Sequence, residues 1–225
     1  MVYLLDQDEI SFPHPSLSDE DGLLAINGDL SIERLLLAYQ NGIFPWYDEE
    51  SPICWYSPKE RFVLFTNNIK ISKSLKQVIK SRKFKITYDQ AFKEVIDNCA
   101  YITRKDQDGT WIIEDMKEAY LKLHQLGFAH SVEIWEKDNL VGGLYGIQIG
   151  KVFSGESMFS KISNTSKLAL YSLSKDFGLE VIDCQVYSDH LNSMGAVLIP
   201  QEDYLSLVQH QQIRPNEFQS TLQHP

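Results

Sequence analysis

Leu140-Val141-Gly142-Gly143-Leu144-Tyr145-Gly146-Ile147-Gln148-Ile149, then Gly150-Lys151-Val152-Phe153-Ser154-Gly155-Glu156-Ser157-Met158-Phe159-Ser160, carries the clearest sheet signal in the chain. Its β-branched and aromatic residues predict strands over residues 140–149 and 151–154, and the turn Lys137-Asp138-Asn139 joins the first to a strand over 131–136. Glu156 falls just past the last strand, among Phe153, Met158 and Phe159. A carboxylate there is costly to desolvate unless a cation or several donors face it. A second polar island in an apolar strand, Ile182-Asp183-Cys184-Gln185-Val186, repeats the pattern. Two strands that each bring a polar group to the core point to a site.

Residues 114–126 predict an amphipathic helix. Met116, Ala119, Tyr120 and Leu123 share one face, Glu114 and Asp115 suit its start, and Gly127 ends it. Further helices are expected over 72–81, 88–99, 165–177 and 204–211, with strands over 84–88 and 179–187. Helices interleaved with antiparallel strands predict an α+β or mixed α/β layer. Upstream, Ser31 reads as an N-cap, Ile32, Leu35, Leu36 and Tyr39 recur at helical spacing, and Asn41-Gly42 closes the helix. Pro45 prevents its continuation. The texture changes near Trp55-Tyr56-Ser57-Pro58, so the expected division is a small N-terminal α/β domain over 1–62 and a larger second domain over 63–225.

Composition is that of an ordinary globular protein, 43% hydrophobic and 23% charged. No apolar run reaches membrane-span length, and the N-terminus lacks a basic, then apolar, leader. Cys54, Cys99 and Cys184 are scattered, which suits a reducing cytoplasm; with no Cys-x-x-Cys and no paired histidines, no metal is expected. The net charge of −10 is unevenly spread. Residues 61–88 hold no acid but include Arg61, Lys70, Lys73, Lys76, Lys80, Arg82, Lys83 and Lys85, leaving 13 basic against 31 acidic residues elsewhere. That is either a solvated helix face or a phosphate-contacting patch.

Seven stretches in one order carry a resemblance to a known family: Gly22-Leu23-Leu24-Ala25 with Gly28-Asp29-Leu30; Ala38-Tyr39-Gln40-Asn41-Gly42-Ile43-Phe44-Pro45-Trp46; Trp55-Tyr56-Ser57-Pro58; Thr110-Trp111-Ile112; residues 140–146; 155–160; and 182–186. The chain resembles leucyl/phenylalanyl-tRNA–protein transferases over residues 10 to 207. The resemblance implies an enzyme that moves Leu, Phe and sometimes Met from aminoacyl-tRNA to proteins beginning with Arg or Lys, making a bacterial degradation signal read by the Clp machinery. It implies a monomer without cofactor, and a C-terminal domain similar to the acyl-CoA N-acyltransferase (GNAT-like) fold. The donor is already an activated ester, and an α-amine of pKa about 7.7–8.0 is partly free at neutral pH, so positioning should carry most of the catalysis.

The roles follow from the resemblance and side-chain chemistry. Trp46 and Trp111 are the expected adenine platforms. Asp183 and Gln185, two apart on a predicted strand, should share a face: Gln185 donates to the carbonyl or orients the amine, and either Asp183 polarises it or takes the proton, or the tRNA 2′-hydroxyl shuttles that proton. Glu156, together with Asp183, should meet the acceptor's positive charge. Leu144, Met158, Leu173 and Phe177 are the expected donor side-chain pocket; family members often carry Met at the Leu144 position and Phe at the Leu173 position. Lys73, Lys76, Lys80, Arg82 and Lys83 are the expected tRNA phosphate contacts. Two rival readings are an acyl-CoA-dependent N-acetyltransferase and a non-catalytic tRNA-binding module. The first usually needs a glycine-rich pyrophosphate loop, yet Ser160-Lys161-Ile162-Ser163-Asn164-Thr165-Ser166-Lys167 holds no glycine.

Overall fold

Two sheets organise the chain, seen in a computed structural model that describes residues 2–101 and 112–213. The first is four-stranded, ordered β1-β2-β4-β3, from β1 (Tyr3–Leu5), β2 (Leu23–Asn27), β3 (Phe44–Pro45) and β4 (Cys54–Tyr56). Helix α1 (Ile32–Gln40) lies between β2 and β3 in the chain. It starts where Ser31 Oγ accepts from the Arg34 N–H and stops at Asn41, with Gly42 at φ +68°.

The second sheet has seven strands. They are β5 (Glu60–Phe65), β6 (Lys85–Tyr88), β7 (Ala129–Glu136), β8 (Asn139–Ile149), β9 (Val152–Ser160), β10 (Val181–Asp183) and β11 (Val197–Pro200), ordered β11-β5-β10-β9-β8-β7-β6. Among these described strands only β9 and β10 pair in parallel. The accompanying helices are α2 (Lys73–Ser81), α3 (Phe92–Tyr101), α4 (Glu114–Gln125), α5 (Thr165–Asp176), α6 (Asp189–Asn192) and α7 (Gln201–Val208). The mixed α+β architecture agrees with the helix and strand pattern of the sequence.

Apolar residues cover the large sheet on both faces. One core joins Val95, Ile96, Met116, Tyr120 and Leu123 of α3 and α4 to Leu35, Ala38 and Tyr39 of α1, so the N-terminal part shares a core with the large sheet. The other joins Leu75 of α2 and Leu168, Leu170 and Leu173 of α5 to Phe62, Leu144, Phe153 and Ile182 of the strands. No described helix is long and apolar enough to cross a membrane.

Several expectations need correction. The strand expected over 151–154 continues to Ser160, so Glu156 lies inside β9 rather than past its end. The strand expected over 179–187 shrinks to Val181–Asp183, because Gln185 is left-handed at φ +62°. Helix α3 begins only at Phe92, after a left-handed Asp89. Strand β5 went unread, since Arg61 to Leu64 are all buried and show no alternation. It also spans the expected division between residues 62 and 63. Arg61, counted with the basic surface, is about 1% exposed and belongs to the core.

Candidate active site

A β-bulge sets the position of Glu156. Tyr145 of β8 faces Ser157, but Gly146 faces Gly155, so Glu156 is the extra residue without a partner on β8. Bulges re-aim one side chain of an otherwise regular strand. Here the side chain turned out of register is a carboxylate, buried at 6% exposure. Glu156 Oε2 accepts from the Tyr120 hydroxyl at 2.9 Å, and Oε1 accepts from Gln185 Nε2 at 2.8 Å. Tyr120 in turn hydrogen-bonds the Tyr39 hydroxyl of α1. Burial, aided by the nearby charge of Asp183 and opposed by these donors, pushes the Glu156 carboxyl up to about 7. Burial and the Glu156 charge hold both tyrosines well above their ordinary range, so they stay neutral donors.

Asp183 ends β10 opposite Ser154 of β9, wholly buried. Its two oxygens accept from Arg61 Nε and Nη2, each at 2.7 Å, a bidentate pair. Tyr204 Oη of α7 donates at 2.9 Å, Ser154 Oγ at 3.3 Å and the Gln185 backbone N–H at 2.9 Å. Burial disfavours the Arg61 charge, but Asp183 outweighs it and holds the guanidinium above its ordinary range. Asp183 and Gln185 therefore do not share a strand face. Gln185 sits on the left-handed turn beyond β10, its side chain on Glu156, and its link to Asp183 runs through its backbone N–H.

The Glu156–Gln185 pair borders a cavity of ≈ 620 Å³. Trp46, Leu144 and Met158 line it, together with Phe153, Leu170 and Ile182. Among the described residues, Glu156 and Asp183 are the only carboxylates along its wall, and no Lys or Arg lines it. Trp46 is 37% exposed and contacts Tyr56 at 5.7 Å between ring centroids. Leu173 and Phe177 are not part of the lining. Leu173 lies in the core under α5, and Phe177, just past the end of α5, packs edge-on against Tyr88 of β6. Trp111 lies outside the described residues.

Lys73, Lys76 and Lys80 project from α2, with Arg82 and Lys83 just beyond its end, all exposed. Lys83 is engaged with Glu136 at 2.6 Å; the other four form no ion pair among the described residues. Among those residues, no group of three His, Cys, Asp or Glu side chains converges as a metal site.

The sequence reading missed Arg61, Tyr39 and Tyr120 as parts of the site. A lone Arg at the head of Phe62-Val63-Leu64-Phe65 is a signal that a buried acid awaits it. Nothing local marks the tyrosines, which fit core positions of their helices.

Comparison with known proteins places the chain in a family. The sequence model described as leucyl/phenylalanyl-tRNA protein transferase matches residues 63–209, and that of the corresponding N-terminal domain matches 28–59. A leucyl/phenylalanyl-tRNA–protein transferase of Flavobacterium psychrophilum is 54% identical over 203 residues, covering 89% of this chain and 96% of its own length. One from Syntrophus aciditrophicus is 50% identical over 219 residues, covering 96% and 92%. Solved structures align more loosely. A conserved protein of unknown function from Bacteroides thetaiotaomicron reaches a TM-score of 0.44 at 11% identity, covering 60% of this chain and 53% of its own. A GCN5-related N-acetyltransferase from Kribbella flavida reaches 0.36 at 8%, covering 74% and 59%. On the family matches and the near-complete coverage at about half identity, the chain belongs to the leucyl/phenylalanyl-tRNA–protein transferase family of acyltransferases.

Proposed function

We propose that this protein transfers Leu or Phe, and less readily Met, from aminoacyl-tRNA to the α-amine of proteins that begin with Arg or Lys. It does so as a monomer in the bacterial cytoplasm, without a cofactor, and its product is a degradation signal. The observation that carries this reading is the cavity wall: its described residues combine apolar and aromatic side chains, Trp46 among them, with two carboxylates and no Lys or Arg. Asp183 already has its countercharge in Arg61, which leaves Glu156 to attract an incoming positive group.

In this reading the terminal adenine stacks on Trp46, and the donor side chain enters between Leu144, Met158, Leu170 and Ile182. Such a pocket selects by shape, with one methylene counting for about 1–3 kcal/mol, so Leu, Phe and Met overlap. Gln185 Nε2 is engaged by Glu156, so its Oε1 is left to accept from the attacking amine. The amine nitrogen forms a bond to the ester carbonyl carbon, the carbon–oxygen bond to the ribose breaks, and one proton passes from nitrogen to the departing oxygen. Glu156, pushed up to about 7, can hold that proton on its way. Asp183 fixes the turn that carries Gln185. Lys73, Lys76, Lys80 and Arg82, with Lys83 in part, contact tRNA phosphates and so reconcile an acidic protein with an RNA substrate.

The test is incubation with Leu-tRNA and a peptide beginning with Arg, followed by mass spectrometry. One added leucine, absent when the peptide N-terminus is acetylated, is the expected result. Intact donor with no product for Leu, Phe or Met overturns the reading.

A further inference from the structure

We infer that Arg61 is a positioning residue that sets the donor platform and the Gln185 turn relative to each other through a single buried guanidinium. Each of its faces and edges is committed. Its Nε and Nη2 hold the two oxygens of Asp183, whose Oδ1 also accepts the Gln185 backbone N–H. Its Nη1 donates to the Gly42 carbonyl at 3.2 Å, four residues before Trp46. The ring of Phe44, two residues before Trp46, has its centroid 4.6 Å from the guanidinium carbon, and the ring of Tyr204 lies at 4.7 Å. Tyr204 also donates to Asp183 Oδ2, so the two residues brace the same carboxylate.

The backbone is shaped for this contact. Gly42 is left-handed at φ +68°, and a Cβ there would lie 2.8 Å from a Leu205 methyl and 3.1 Å from the Tyr204 ring. A glycine therefore lets the loop before Trp46 approach α7 closely enough for its carbonyl to reach Arg61. Lysine offers a point charge in place of this planar fork and stacks poorly on aromatic rings, so it cannot replace all these contacts. A buried arginine that only balanced Asp183 would need neither the Gly42 bond nor the ring of Phe44.

The inference rests on the proposed transfer reaction, and wild-type turnover tests that reaction separately. If the wild type makes no leucyl-peptide, the reaction assignment fails; if it does, Arg61 is tested by comparison with it. In Arg61→Lys, with folding verified by circular dichroism and urea titration, the KM for Leu-tRNA should rise and kcat should fall. Each change should be at least ~10-fold, within the roughly hundredfold that a 1 Å misplacement costs. A double-mutant cycle with Trp46→Ala separates positioning from mere stability. If Arg61 places Trp46, removing the indole raises the donor KM far less in the Arg61→Lys background than in the wild type. A folded Arg61→Lys enzyme with wild-type kcat and KM, or fully additive effects in the cycle, overturns the inference. Should Arg61→Lys fail to fold, Tyr204→Phe decides: it keeps the ring on the guanidinium and removes one donor from Asp183. A kcat lowered several-fold at unchanged donor KM supports the inference, and an unchanged kcat overturns it.

Discussion

Glu156→Gln should change how stability depends on pH, by an amount the site geometry sets. Burial raises the Glu156 carboxyl from 4.5 to about 7 in the folded protein. A carboxyl raised on folding contributes stability that is complete below its unfolded pKa and is lost as pH rises through the folded value. At about 1.4 kcal/mol for each pH unit, the full loss is about 3 kcal/mol. Between pH 5 and pH 8 the wild type should lose about 2–3 kcal/mol through this group alone. The Gln variant has no proton to release there. Its amide can keep both neighbours, because Gln185 can turn its own amide to accept while Tyr120 still donates. Urea unfolding of both proteins at pH 5 and pH 8 reads the difference directly, and every other titrating group cancels in the comparison. The gap between variant and wild type should widen toward pH 8 in favour of the variant. Parallel pH dependence would refute the claim that Glu156 is held near neutrality by burial.

Other perturbations probe separate parts of the site. Trp46→Ala removes a base-stacking surface that contributes about 1–3 kcal/mol, so the KM for Leu-tRNA should rise roughly 5- to 150-fold in a folded variant; steady-state kinetics check it, and an unchanged KM rejects the platform. Asp183→Asn leaves the buried Arg61 without its charge partner, and urea titration should show a loss of about 3–5 kcal/mol; near-normal stability would mean the pair matters little to folding. Replacing Lys73, Lys76 and Lys80 together by Ala should lower the slope of log affinity against log salt by about 2 in tRNA binding, at roughly 0.7–0.9 for each phosphate no longer neutralised; an unchanged slope would move the phosphate-binding surface elsewhere.

The helices were largely legible because their signals are local. Ser31, Ser72 and the Glu114-Asp115 pair start α1, α2 and α4 where a capping residue or first-turn acid predicts. Strand β5 was hidden, because a strand buried on both faces has no alternation to read. Its position also explains why Arg61 looked like surface: charge counting sees the residue type, whereas only pairing with Asp183 makes its burial tenable. The bulge at Glu156 was invisible for a different reason. It is a mismatch between two strands, and neither strand's sequence records it alone. The left-handed Gln185 defeated the same-face expectation, since period-two reasoning holds only while the backbone stays extended. In the pocket, Leu144 and Met158 sit on the sheet beneath the cavity, but α5 turns Leu173 into the core; Leu170, one turn earlier, lines the wall instead.

The most direct measurement is a crystal structure with a non-hydrolysable leucyl-adenosine analogue. The adenine should lie against Trp46, the leucyl side chain between Leu144, Met158, Leu170 and Ile182, and the amide that replaces the ester beside Gln185 and Glu156. An analogue bound with its carbonyl away from these two residues would contradict the proposed transfer site.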